Sequence, residues 1–179
     1  RAAEVSTKKR RSLGIGYIGL AHYLAKNGVK YSDPKAWELV DRLSEAFQYH
    51  LLRASCDIAM EKGKCEGFER TKYADGLLPI DHYKKDVDEI VPHKQRMAWE
   101  SLRKDIAKYG LRHSTLSAQM PSESSSVVSN ETNGIEPPTL LVAVMKSNKG
   151  PLKQIAARDA KLKNDYTLLW EMPDNTGYI

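Results

Sequence analysis

Two cysteines in 179 residues, Cys56 and Cys65, are too few for a disulfide framework, and neither stands in a CxxC pair or a Cys/His cluster of metal-site spacing. A reducing compartment is expected. No apolar run approaches the roughly 18 residues a membrane span needs, and the first residues lack the apolar stretch of a secretory leader, so a soluble, cytoplasmic protein is expected. Excess charge is scarce as well. The net charge of +5 sits almost wholly in residues 1–12, which hold five cations and one anion, whereas the other 167 residues carry 23 cations and 22 anions. A nucleic-acid domain usually spreads its positive excess over a face of the fold, so nucleic acid is not the expected partner. Internal repeats and low-complexity linkers are missing too.

What remains is globular. With 41% hydrophobic and 28% charged residues the chain is neither disordered nor collagenous, and its length suits one domain or a piece of a larger one. A domain this size buries roughly 70% of its extended surface, enough for a core without staples.

Leu13-Gly-Ile-Gly-Tyr-Ile-Gly-Leu20 interleaves apolar residues with glycine, which predicts a buried strand closely approached by neighbouring backbone. Gly14, Gly16 and Gly19 have GxGxxG spacing but lie inside the apolar run instead of after it, so close packing explains them better than a dinucleotide fingerprint. A short helix over 21–26 stops at Asn27-Gly28. Asp33-Pro34 opens a long helix to Gly63, with Trp37, Val40, Phe47, Leu51, Ala54 and Ile58 as its buried stripe, widened by Leu39 and Leu43. Cys56, on this helix, is expected in or near the core. A short helix is expected near 80–87, and another introduced by Pro92, running through Trp99, Leu102 and Ile106 to Gly110. From Leu111 the period becomes two: Leu116, Ala118 and Met120 alternate with Thr115, Ser117 and Gln119, a strand ending at Pro121. Residues 140–145 and 151–157 flank Ser147-Asn-Lys-Gly150 as a hairpin, and a last helix is expected over 162–171, stopped by Met172-Pro173. The sequon Asn130-Glu131-Thr132 is idle in a cytosolic protein.

The densest chemistry lies between strand and turn: Pro121-Ser-Glu-Ser-Ser-Ser126 reads as a tight loop feeding a short helix. Amides at a helix start point outward unpaired and carry partial positive charge, and serine hydroxyls add donors without bulk, so a phosphate is accommodated there. Ordinary capping accounts for the same serines without any ligand. The Glu123 carboxylate would repel a phosphate, although its amide can donate.

Arg11-Ser-Leu-Gly-Ile-Gly16, Gly76-Leu-Leu-Pro-Ile-Asp81, Gly110-Leu-Arg-His-Ser-Thr-Leu-Ser-Ala118, Met120-Pro-Ser-Glu-Ser-Ser-Ser126, Ser129-Asn-Glu-Thr-Asn-Gly-Ile-Glu-Pro-Pro138 and Leu169-Trp-Glu-Met-Pro173 follow one another in order. Together they resemble the large (α) subunit of aerobic class I ribonucleotide reductase, from about Arg11 to the end of the chain. The resemblance implies an α/β fold, part of a ten-stranded α/β barrel: the later part of the second half-barrel with following α+β elements. Residues 1–12 would then be a basic N-terminal arm, and 13–179 the barrel segment with the start of the C-terminal region.

By the same resemblance, the complete enzyme reduces ribonucleoside diphosphates to deoxyribonucleotides by radical chemistry. Its catalytic cysteines and the carboxylate and amide beside them fall upstream of this segment, and its radical-relay tyrosines and mobile C-terminal cysteines beyond Ile179. Cys56, Cys65 and Tyr178 match none of them, so no catalytic residue is expected here. The family's Pro-Ser-Glu-Thr-Ser loop holds the substrate diphosphate. Pro121, Ser122, Glu123 and Ser125 match it, Ser124 replaces the threonine with its hydroxyl kept, and Met120 is expected to line the site. Implied partners are the rest of the large subunit, a second copy of it, and a radical-generating metal-containing small (β) subunit. Nucleoside triphosphate effectors and thioredoxin or glutaredoxin as reductant are also implied. The competing expectation is a non-catalytic module whose arm, with Lys8, Lys9, Arg10 and Arg11, binds nucleic acid or an acidic partner.

Overall fold

The computed structural model describes residues 1–92, 94–138, 142–147 and 150–155. Two compact units divide the chain, Arg1–Ile15 with Glu38–Ala118 and Gly16–Trp37 with Gln119–Ile179. Helices α1 (Ala2–Arg10), α2 (Leu20–Lys26), α3 (Pro34–Lys62), α4 (Trp99–Tyr109) and α5 (Glu123–Ser129) dominate the described residues, with strands β1 (Val142–Ser147) and β2 (Gly150–Ile155). The expected last helix, the tail and the Leu169–Pro173 motif lie outside the described residues.

In the first unit, Leu52 and Cys56 of α3 pack with Trp99, Leu102 and Ile106 of α4 and with Cys65, Phe68, Leu78, Leu111 and Leu116 from the connecting segments. The three α4 residues recur at helical spacing and so share one face. Both cysteines are buried and unbridged, and burial pushes each thiol above its usual range.

The long helix has the expected bounds, but its buried face is rotated by about one residue position from the expected stripe. Glu45, Leu52, Ser55, Cys56 and Ala59 are buried, whereas Ala54 is exposed and Trp37 and Ile58 are more than a third exposed. Two polar residues explain the rotation, because each finds partners that hydrophobicity does not record. The Ser55 hydroxyl lies 2.9 Å from His113 Nδ1 and accepts the His113 amide at 3.2 Å. Burial, then the charges of Arg112 and Arg11, hold that imidazole below its usual pKa. Glu45 Oε1 accepts from the Arg96 amide, the Met97 amide and Trp99 Nε1 at 2.7, 3.1 and 3.0 Å, while Oε2 accepts from Arg96 Nη1 at 3.2 Å.

Those bonds also correct a helix boundary. Pro92 does not open α4, because the Arg96 and Met97 amides turn to Glu45 and helical geometry begins only at Trp99. The helix expected near 80–87 is two 3₁₀ turns, Pro79–Asp81 and Lys85–Glu89. Asp81 closes the first by accepting the Leu78 amide at 2.6 Å and pairing with both terminal nitrogens of Arg103 at 2.7 and 3.0 Å.

The two expected strands, 13–20 and 111–120, meet in parallel at a single bridge, Ile15 to Ser117. Leu13 N donates to Thr115 O, Ile15 N to Leu116 O, and Ala118 N to Ile15 O. A continuous parallel sheet is not formed among the described residues. Leu13 and Ile15 are 43% and 37% exposed, so the segment is not the buried strand its composition predicts. A strand buried on both faces needs covering layers, and here one segment pairs with it.

Residues 2–10 are helical, and their end is tied down: Gly67 N donates to Lys9 O and Ser114 N to Arg10 O, both at 2.9 Å.

In the second unit, Leu20, Ala21, Leu24 and Ala25 of α2 are buried, and Gly28 (φ 64°) follows the helix end at Asn27 as expected. Strands β1 and β2 form an antiparallel hairpin as expected, but with shifted bounds: Val142 lies opposite Ile155, and Ser147 and Gly150, expected in the turn, pair with each other.

Candidate functional site

Everything described next belongs to the second unit. Helix α5 opens directly after Pro121-Ser122, and its first intrahelical bond runs from Ser126 N to Ser122 O at 2.9 Å. The amides of residues 123–125 therefore belong to the first turn, ahead of the bonded ladder, where a helix presents outward donors. Ser122, at the N-cap, makes no side-chain capping bond. Its hydroxyl is not used for the ordinary capping that the residues by themselves favour. Ser124 and Ser125 are exposed, Ser122 is half-buried, and Pro121 and Met120 are exposed beside the loop.

The serine cluster is thereby divided. Ser126 is fully buried and donates from Oγ to Asn133 Oδ1 at 2.5 Å, and Ser129 Oγ donates to Ser125 O at 2.8 Å. Ser122, Ser124 and Ser125 are left at the helix start with the amides of 123–125, an arrangement that can bond several oxygens of one anion. Asn133, which the sequence offers only as part of a motif run, is the partner of Ser126. The seven-residue interval around a short helix was the available signal.

Segment 131–135 fastens this helix start. Glu131 N donates to Ser126 O at 2.9 Å and Ser122 N to Asn133 O at 3.1 Å. Thr132 O accepts from Gly19 N at 3.1 Å, Gly134 O from Leu20 N at 3.4 Å, and Ile135 O from Tyr31 Oη at 2.9 Å. Gly19 is required there. Its φ is 73°, and a Cβ would lie 2.8 Å from Glu131 Oε2 and 3.2 Å from Glu131 Cβ, so the close packing expected of this glycine is present. Gly19→Ala is expected to cost about 1–3 kcal/mol from the left-handed conformation and the crowding together, measured by chemical denaturation.

Elsewhere, Ser55 and His113 stand at a nucleophile–base distance, but Ser55 is 1% exposed and no substrate reaches it. The pair latches α3 to the segment after α4. Among the described residues no group of three His, Cys, Asp or Glu side chains is placed to hold a metal ion, and no helix is long and apolar enough to cross a membrane.

Comparison with known proteins places this geometry in context. The model of the ribonucleotide reductase barrel domain matches residues 1–172. This chain belongs to that family. The ribonucleoside-diphosphate reductase subunit alpha of Buchnera aphidicola subsp. Baizongia pistaciae is 57% identical over 178 residues, 99% of this chain and 23% of its own length. The ribonucleoside-diphosphate reductase 1 subunit alpha of Escherichia coli K12 is 51% identical over the same shares. The subunit alpha of Enterobacteria phage T4 is 43% identical over 92% of this chain and 22% of its own length. The chain thus spans less than a quarter of the relatives it matches. The barrel-domain match begins at residue 1 and so includes the basic helix α1.

Proposed function

We propose that this chain is a segment of a ribonucleoside-diphosphate reductase large subunit and that its serine turn holds the substrate diphosphate while ribonucleotides are reduced to deoxyribonucleotides. The observation carrying the proposal is the α5 start: hydroxyls of Ser122, Ser124 and Ser125 beside the first-turn amides of 123–125, in a chain that aligns over 99% of its length with alpha subunits. Pro121 sets the entry to the turn, Glu123 contributes its amide, and Met120 lines the approach. Dipoles and hydroxyls fixed in this way bind a diphosphate without a charged side chain.

In this reading residues 13–179 are the later part of the second half of a ten-stranded α/β barrel and the start of the region after it, preceded by the basic stretch 1–12. Exposed Leu13, Ile15 and Val128, the last at 88%, support a body completed by further polypeptide. The groups that make and quench the radical belong to that remainder. Its partners are the rest of the large subunit, a second large subunit and a radical-generating metal-containing small subunit. Nucleoside triphosphates regulate it, thioredoxin or glutaredoxin re-reduces it, and the cytoplasm is its compartment.

Positioning one end of a substrate accelerates nothing unless the reacting groups are also in place, so the isolated chain should be inactive. Reductase assays of the chain alone, and of the chain with the complementary upstream piece and small subunit, test this. Turnover by the chain alone would refute it. In the assembled enzyme Ser122→Ala with Ser125→Ala is expected to raise KM for the diphosphate about tenfold and to change kcat less than about twofold, because these donors hold ground and transition states alike. Steady-state kinetics at saturating effector measure both, and an unchanged KM would leave the serines without a ligand.

A further inference from the structure

We infer that Asn133 is a positioning residue for the diphosphate: it touches no substrate and holds the serine turn in the geometry that does. The inference rests on the reading of the turn as the diphosphate site and extends it to a residue outside the loop.

Asn133 grips α5 at two points. Its backbone oxygen accepts the Ser122 amide at 3.1 Å, and its side-chain Oδ1 accepts the Ser126 hydroxyl at 2.5 Å. Ser122 and Ser126 bracket the first turn, so the three amides between them are aimed by a residue beyond the end of the helix. The bond from Glu131 N to Ser126 O adds a third tie on the same side. Thr132 O and Gly134 O alternate with these and accept from Gly19 N and Leu20 N. The Glu131 amide and Asn133 carbonyl face α5 while the Thr132 and Gly134 carbonyls face the entry to α2, so 131–134 acts as a rail between the two. Tyr31 Oη holds the next carbonyl, that of Ile135.

A seven-residue helix has few internal bonds to fix its own direction, and helices of this length are marginal alone. Its aim must come from outside. Ser126 is fully buried, so its hydroxyl serves the rail and not the ligand. Loss of the Asn133 side chain should then loosen the turn without removing any donor that faces the diphosphate.

The test uses this chain assembled with the rest of the large subunit and the small subunit, with a ribonucleoside diphosphate as substrate and the unphosphorylated nucleoside as competitor. Asn133→Ala is expected to raise KM for the diphosphate about three- to tenfold, leave kcat within about twofold, and leave the nucleoside's inhibition constant unchanged. Ser126→Ala removes the same bond from the other side, serves if the first variant does not fold, and should give a similar rise. The double variant should be no worse than either single one, because both remove one interaction. If Ser122→Ala with Ser125→Ala raises KM while Asn133→Ala and Ser126→Ala do not, the positioning role is wrong and the diphosphate site stands. A fall in kcat at unchanged KM for Asn133→Ala would mark a general structural role and also overturn the inference. If none of the variants moves KM, the diphosphate reading fails and the inference falls with it.

Discussion

Glu45→Ala is expected to lower the unfolding free energy by about 3–5 kcal/mol, the range for removing one partner of a buried, hydrogen-bonded charge. The side chain of Glu45 is 1% exposed, and three donors converge on its Oε1 while the Arg96 guanidinium reaches Oε2. Alanine strands the fully buried Trp99 indole N–H and two backbone amides at once. Arg96 keeps Asp41 at 2.8 Å, so its charge is not abandoned. Glu45→Gln retains an oxygen for the three donors and should lose less, about 1–2 kcal/mol.

The pH dependence has a definite sign. Burial raises the Glu45 pKa, but the bonds from the Arg96 amide, Trp99, the Met97 amide and the Arg96 guanidinium outweigh it and hold the carboxyl below its ordinary range. A depressed carboxyl contributes stability that is fully present above its unfolded pKa, about 4.3, and is lost as pH falls through the lower folded value. The stability gap between the native chain and Glu45→Gln should therefore narrow as pH drops below about 4. Urea unfolding of both proteins across that window measures it. A gap that widened on acidification would contradict the charged network.

Gly110→Ala is the second large effect, expected to cost about 2–4 kcal/mol. Gly110 has φ 73° and ψ −165°, a region essentially reserved for glycine, and it closes α4 by donating its amide to Ile106 O. A Cβ there would lie 2.7 Å from Lys64 Cβ, an atom anchored to the backbone that cannot swing away as the end of a side chain can. The next residue, Leu111, is fully buried and its carbonyl accepts the Cys65 amide, so the strain passes directly into the core. Gly63→Ala separates conformation from crowding. Its φ is 78° with nothing within 4 Å of a built Cβ, so a loss of only about 1–2 kcal/mol is expected. Equal losses at the two sites in denaturant melts would remove the steric half of the explanation.

Much of the molecule was readable from residue order because its causes are local. Asp33-Pro34 and Gly63 bound α3, Asn27-Gly28 stops α2, and the hairpin follows from two apolar runs around Ser147-Asn-Lys-Gly150. Backbone preferences of a few adjacent residues set these points. The serine turn was legible too, as donors placed just ahead of a short helix. Its family likeness was legible because the motifs occur in fixed order along most of the chain.

Tertiary contacts alone determined which side chains those elements turn inward and which polar groups they leave exposed. The face of α3 that is buried carries Glu45 and Ser55, whose partners Arg96, Trp99 and His113 come from 51 to 58 residues away, and hydropathy scores such residues as outward-facing. Ser126 looks like its neighbours in the sequence and is set apart by its burial and its bond to Asn133 Oδ1, seven residues on. A polar group goes inside when another segment supplies its hydrogen bonds, and that supply exists only once the chain has folded.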